Sequence, residues 1–209
     1  MREFALAALL LAGGSAAATL SPSDAEIADA LEAGAALINP DKGYPLRDHL
    51  LLEVPDARDI KPAWGAVDAV ILATPLERAR HAGYLAKLSG QTIEVPAARQ
   101  LPELHPGSLS IIVYTHGPDS KDESFIDKFG RASLVFPHET VAAAEVTHTE
   151  PNEATYPLAG FERQRQAAVL IYRFDLAAFP RLGNARCRLK FTDPTGKAFD
   201  IPLNLAQYR

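Results

Sequence analysis

Sixteen prolines and thirteen glycines cut this 209-residue chain into apolar segments that are mostly four to nine residues long. Segments of that length suit strands and leave too little room for a set of long helices. The spacing predicts strands at 49–54, 67–73, 92–95, 109–115, 132–136, 141–147, 168–175, 185–192 and 198–205. Two of them, around Leu109 to Tyr114 and Ala168 to Tyr172, are apolar on both faces, as central strands are.

The C-terminal segment is the most regular. From Arg186 to Phe191 charged and apolar residues alternate, so Arg186, Arg188 and Lys190 share one face and Cys187, Leu189 and Phe191 the other. Asp193-Pro194-Thr195-Gly196 reads as a turn. Phe199, Ile201, Leu203 and Leu205 then alternate with Asp200, Pro202 and Asn204, which completes an antiparallel hairpin. Pro202 cannot donate to a ladder and places this last strand at an edge or a bulge.

Two helices carry start signals. Ser23 with Glu26 forms a capping box, and Ile27, Leu31 and Leu37 or Ile38 follow until Asn39-Pro40 closes a helical segment at about 23–39. Thr74-Pro75-Leu76-Glu77 starts the second and Ser89-Gly90 ends it. Its narrow apolar stripe of Leu76, Ala79, Gly83, Ala86 and Leu88 is expected to lie on a sheet. These elements predict a mainly β fold: an antiparallel two-sheet, immunoglobulin-like β-sandwich with one or two helical insertions. The alternative is an α+β arrangement with both helices covering an open antiparallel sheet.

Residues 1–18 have the order of a secretory signal peptide: Arg2, an apolar run from Phe4 to Ala12, then small residues through Ala18. The run is too short to span a bilayer, and no later segment is long and apolar enough. The expectation is a single β-rich domain over 19–209, periplasmic or secreted. A lone Cys187 cannot form an internal disulfide, so the core alone must hold the domain. Its strand face predicts burial and inertness despite the flanking arginines. A formal net charge of −5 with no basic block argues against nucleic acid as a main partner.

The search for chemistry finds no phosphate-cradling glycine loop, no paired-cysteine zinc pattern, no His-Glu-x-x-His and no Gly-x-Ser-x-Gly. Two segments offer ligand-binding candidates. His116, Asp119, Asp122 and Glu123 belong to an acidic loop leaving a central strand, whose alternative is a solvated turn. Arg163 and Arg165, at alternate positions, could grip a carboxylate or phosphate, or simply guard a strand edge. His138 and His148 are too far apart along a strand to share a metal. No catalytic residue, metal or cofactor is assigned. The first function class is a non-catalytic exported binding module for a protein or glycan of the cell envelope. The second is a metal-dependent hydrolase with a site at 116–123, completed by a distant histidine such as His49 or His138.

Overall fold

The structure, a computed structural model, describes residues 19–39, 43–45, 49–53, 65–158, 161–179, 182 and 185–208; the expected signal segment lies outside them. Within these residues the strands form two antiparallel sheets. The larger has six: β1 (Leu50–Glu53), β2 (Val67–Ala73), β3 (Ser108–His116), β6 (Glu145–His148), β7 (Asn152–Leu158) and β8 (Phe161–Asp175). Their spatial order is β1-β2-β3-β8-β6, with β7 also paired to β8. The smaller has four, β4 (Ser133–Val135), β5 (Thr140–Ala142), β9 (Arg186–Thr192) and β10 (Ala198–Asn204), in the order β10-β9-β4-β5. Ile111, Leu170 and Tyr172 of the larger sheet and Leu134, Leu189 and Phe191 of the smaller belong to one buried cluster, so the two sheets enclose a common core. The apolar strands at 109–115 and 168–175 are both internal to the larger sheet, as expected.

The terminal hairpin follows its sequence. Exposure alternates strictly along β9, and Phe199 pairs with Phe191. Their rings stack 4.7 Å apart with planes 4° from parallel. Pro202 lies on β10, an edge strand, where its missing donor costs no ladder bond. Cys187 is buried, and that burial pushes its thiol up to about 12.

Other expectations need correction. Residues 92–95 form no strand. The chain there enters the short helix α3 (Val95–Ala98), with proline in its first turn, where the missing N–H is harmless. The 141–147 segment is split between sheets: Ala143 N donates to Ala132 O beside the smaller one, and Ala144 N donates to Arg173 O of the larger. β7 and the first half of β8 form a hairpin arm in a stretch given no strand above.

Both main helices begin at their expected caps. In α1 (Asp24–Ala36) Ser23 and Glu26 form the capping box, and in α2 (Pro75–Leu88) Thr74 Oγ1 accepts from Glu77 N at 3.3 Å. The partner of α2 differs from expectation, because it packs chiefly against α1. Gly34 and Gly83 let the backbones touch: a Cβ at Gly34 would stand 1.7 Å from Arg80 O, and one at Gly83 2.1 Å from Leu31 O. Leu88 is left exposed, and Glu77 is buried instead. Glu77 accepts from Tyr44 Oη at 2.7 Å and faces His49 Nε2 at 3.3 Å and Arg80 Nε at 3.1 Å. No helix among the described residues is long and apolar enough to cross a membrane.

Candidate functional site

β2 opens with a register irregularity between Val67 and Ala69, where it pairs with β3. Such a bulge re-aims the side chain at the extra residue, and bulges gather beside functional sites. The residue concerned is Asp68. At the far end of β3 stands His116, only 2% exposed, and its Nδ1 lies 2.7 Å from Asp68 Oδ1. From the arm, Tyr156 Oη donates to Asp68 Oδ2 at 2.8 Å, and its ring lies 5.0 Å from the imidazole. Both carboxylate oxygens are therefore engaged. Burial, then the Asp68 charge, push the Tyr156 phenol well above its usual range, which keeps it a donor. With the proton on Nδ1 directed at Asp68, Nε2 is the nitrogen His116 has left for other partners.

The arm brings Arg165 to the same place. In the β7–β8 register Ala154 faces Arg165 and Tyr156 faces Arg163, so both arginines lie on the strand face that carries Tyr156. Gly117 N donates to Gln166 O at 2.7 Å and Gln166 N to Asp119 O at 2.9 Å, which laces the loop after β3 to the base of the arm. Arg165 Nη1 donates to Gly117 O at 3.3 Å, a long bond, and its buried Nε has no partner. Burial, and next the Arg163 charge, lower its pKa from the ordinary guanidinium value. A cavity of about 390 Å³ opens here, lined among others by His116, Arg165, Asp122, Lys128, Phe125 and Thr195. Its far wall is held by Asp193, whose Oδ2 accepts from Ala66 N at 2.7 Å. Gly65, at a φ of +73°, makes that approach possible, since a Cβ would lie 1.9 Å from the same oxygen.

Of the residues singled out from sequence, His116, Arg165 and Asp122 thus line one cavity, and Arg163 flanks it. The acidic loop does not assemble as a cation cradle. Asp119 Oδ1 accepts from the backbone N of Lys121 and Asp122 at 2.7 and 3.1 Å, as in a turn. Asp122 binds Lys128 Nζ at 2.7 Å and Ser124 Oγ at 2.9 Å, and Lys128, then Ser124, lower its pKa. Glu123 points to solvent at the start of a 3-10 turn. Neither distant histidine joins them: His49 pairs with Glu77 beside α2, and His138 is exposed between β4 and β5. His148 stands 3.5 Å from Asp127. Among the described residues no three His, Cys, Asp or Glu side chains stand together as a metal site.

Asp68 and Tyr156 were not singled out from sequence. Asp68 did leave a signal, as the one charged residue in the apolar run Val67 to Ala73. Tyr156 left none, because its segment has no apolar period. Compared with known proteins, the chain matches no family model, no curated protein and no solved structure.

Proposed function

We propose that this chain is an exported, non-catalytic binding module that takes a carboxylate-bearing group of an envelope glycan or protein into the cavity under the arm. The observation that carries this reading is the guanidinium of Arg165 at the cavity wall, whose hydrogen bond to Gly117 O is long at 3.3 Å. A carboxylate pairs its two oxygens with two parallel N–H groups on one edge of such a planar fork. Lys128, also on the wall, adds donors and neutralises Asp122 beside it. The signal-like residues 1–18 support export.

Strand order supports the finer reading of the fold. β2-β3-β8-β6 over β10-β9-β4-β5 has the order A-B-E-D over G-F-C-C′ of an immunoglobulin-like sandwich, with β1 as an added edge. In that frame α2 and α3 are an insertion between the first two strands.

Calorimetry with galacturonate and galactose tests the site. Galacturonate should bind and galactose should not, and Arg165→Ala should weaken galacturonate at least tenfold, with partial rescue by Arg165→Lys. Equal binding of the two sugars, or indifference to Arg165→Ala, would sink the proposal. Intact-mass analysis from an exporting host should show loss of the first seventeen or eighteen residues.

The contact between His116 and Asp68 favours a second reading, a hydrolase in which His116 takes a proton from water while Asp68 stabilises the imidazolium. Ester turnover abolished by Asp68→Asn in a folded variant would move this reading ahead of the first.

A further inference from the structure

The outer face of the smaller sheet carries its charges in a row. Across β4, β5, β9 and β10 the charged side chains are Arg186, Arg188, Lys190 and Asp200. The three cations are exposed and alternate along β9, so they stand in line on the face turned from the core, about 7 Å from each to the next. β9 is internal to its sheet, so the row runs down the middle of the face, away from the edges where charges block strand pairing. Arg131 lies two residues before Ser133, the partner of Lys190, and is exposed while Ala132 joins the core. It extends the row by a fourth cation.

The row is under-compensated. Asp200 Oδ1 accepts from Arg188 Nε at 2.6 Å, and its Oδ2 stands 3.7 Å from Lys190 Nζ. The Arg188 hydrogen bond is the chief cause that holds the Asp200 carboxyl below its usual range. One carboxylate thus serves two cations, and Arg131 and Arg186 have no ionic partner among the described residues. The turn between β4 and β5 brings one further acid, the half-exposed Glu139. Cations therefore prevail on this face, although the whole chain has a formal charge of −5.

Shape and composition restrict the partner. Two strands of seven residues and two of three, 4.8 Å apart, cover about 300–350 Å². A stable interface with a folded protein needs about 800 Å² from each side. A bilayer is gripped by an apolar body between the cations, and Val135, half-buried, is the one branched aliphatic facing outward here. A nucleic-acid strand would bring bases, and no aromatic side chain faces outward to stack them. A disordered acidic peptide would lose about 1–2 kcal/mol of backbone entropy for every residue it straightens, whereas a chain of sugar rings is stiff beforehand.

We propose that this face binds a linear acidic polysaccharide, one chain of which lies along β9 with its carboxylates against Arg186, Arg188, Lys190 and Arg131. Binding releases the counterions of both partners and is salt-sensitive for that reason. The surface is distinct from the cavity under the arm, whose cations are Arg165 and Lys128.

The test is run in the Arg165→Ala protein, which lacks the cavity's carboxylate contact, so that either proposal can fail alone. Fluorescence anisotropy of labelled polygalacturonate measures binding, with dextran as the neutral chain and polyglutamate and phosphatidylglycerol vesicles as the other anionic surfaces. Polygalacturonate should bind more tightly than all three, and its affinity should fall about tenfold between about 50 and 200 mM salt. Arg186→Ala together with Lys190→Ala, at two exposed positions, should weaken it about tenfold or more at the lower salt with the urea midpoint unchanged. Should that pair disturb the fold, Arg186→Ala alone should still weaken binding several-fold. No binding at the lower salt, equal binding of dextran, tighter binding of polyglutamate or of the vesicles, or indifference to loss of the cations would overturn the proposal.

Discussion

Replacing Gly83 by alanine should destabilise the protein, although alanine is the better helix former by about 1 kcal/mol. The new methyl would sit 2.1 Å from the Leu31 carbonyl oxygen, and contacts under 3.0 Å are essentially never seen. The helices must therefore part by roughly 1 Å, and neither obstacle is a side chain that can swing away. A gap of that size forfeits about a quarter to a half of each dispersion contact. Ile27 and Leu31, which α1 buries beside Ala79 of α2, are worth about 1.5–3 kcal/mol apiece. The loss, with the strain of overpacking, comes to about 3 kcal/mol, and the propensity gain leaves a net cost of about 2 kcal/mol. Gly34→Ala should cost at least as much, its methyl falling 1.7 Å from Arg80 O. The double variant should cost clearly less than the sum, because helices already parted by one methyl accept the second more easily. Urea denaturation measures all three. A Gly83→Ala protein with a higher midpoint at unchanged slope would refute the close contact, and additive costs would refute the shared gap.

Phe191→Ala removes a ring stacked on Phe199 and should cost about 3–5 kcal/mol in denaturation. Arg188→Ala, which breaks only a half-exposed pair with Asp200, should cost under about 1 kcal/mol; equal costs would mean a slipped register. Cys187 should react slowly with a thiol reagent until denaturant is added, and rapid labelling of the native protein would contradict its burial. His81 stays neutral in the fold down to about pH 4, while in the unfolded chain it takes up a proton near 6.5. Its contribution is thus whole above about pH 6.5 and is lost as pH falls toward 4, by at most roughly 2–3 kcal/mol once solvent screening of the partly exposed ring is discounted. A His81→Phe variant should show a correspondingly shallower decline over that window, and an identical decline would refute the assignment.

What could be read in advance follows from where each element's information resides. β9 and β10 alternate because one face meets the core and the other water, and period two survives in the sequence. The helix caps are local chemistry and were legible for the same reason. The break at Ala143 and Ala144 was hidden, since a chain changing sheets keeps its extended backbone and shows no turn residue. Ile93 and Val95 imitated a strand, but Pro96 follows them and suits a helix start. β7 was unreadable because most of its described side chains meet solvent or other polar groups, so no apolar rhythm was required. At the site, His116 and Arg165 are each marked by local pattern alone. Their meeting depends on pairing across the larger sheet, which no window of sequence contains.

β8 runs unbroken from the arm into the core, and its parity never changes. Gln166, Ala168, Leu170, Tyr172 and Phe174 are buried, while Arg163, Arg165, Val169 and Ile171 take the other face. A frame error of one residue would turn Tyr172 and Phe174 out of the common core onto the outer face along with displacing Arg165, so the core acts as proofreader for the arm. The reverse dependence is weak. Residues at 163 and 165 can be exchanged without touching any of the five buried side chains, so descendants of this chain are free to change what the cavity holds while inheriting its frame unaltered.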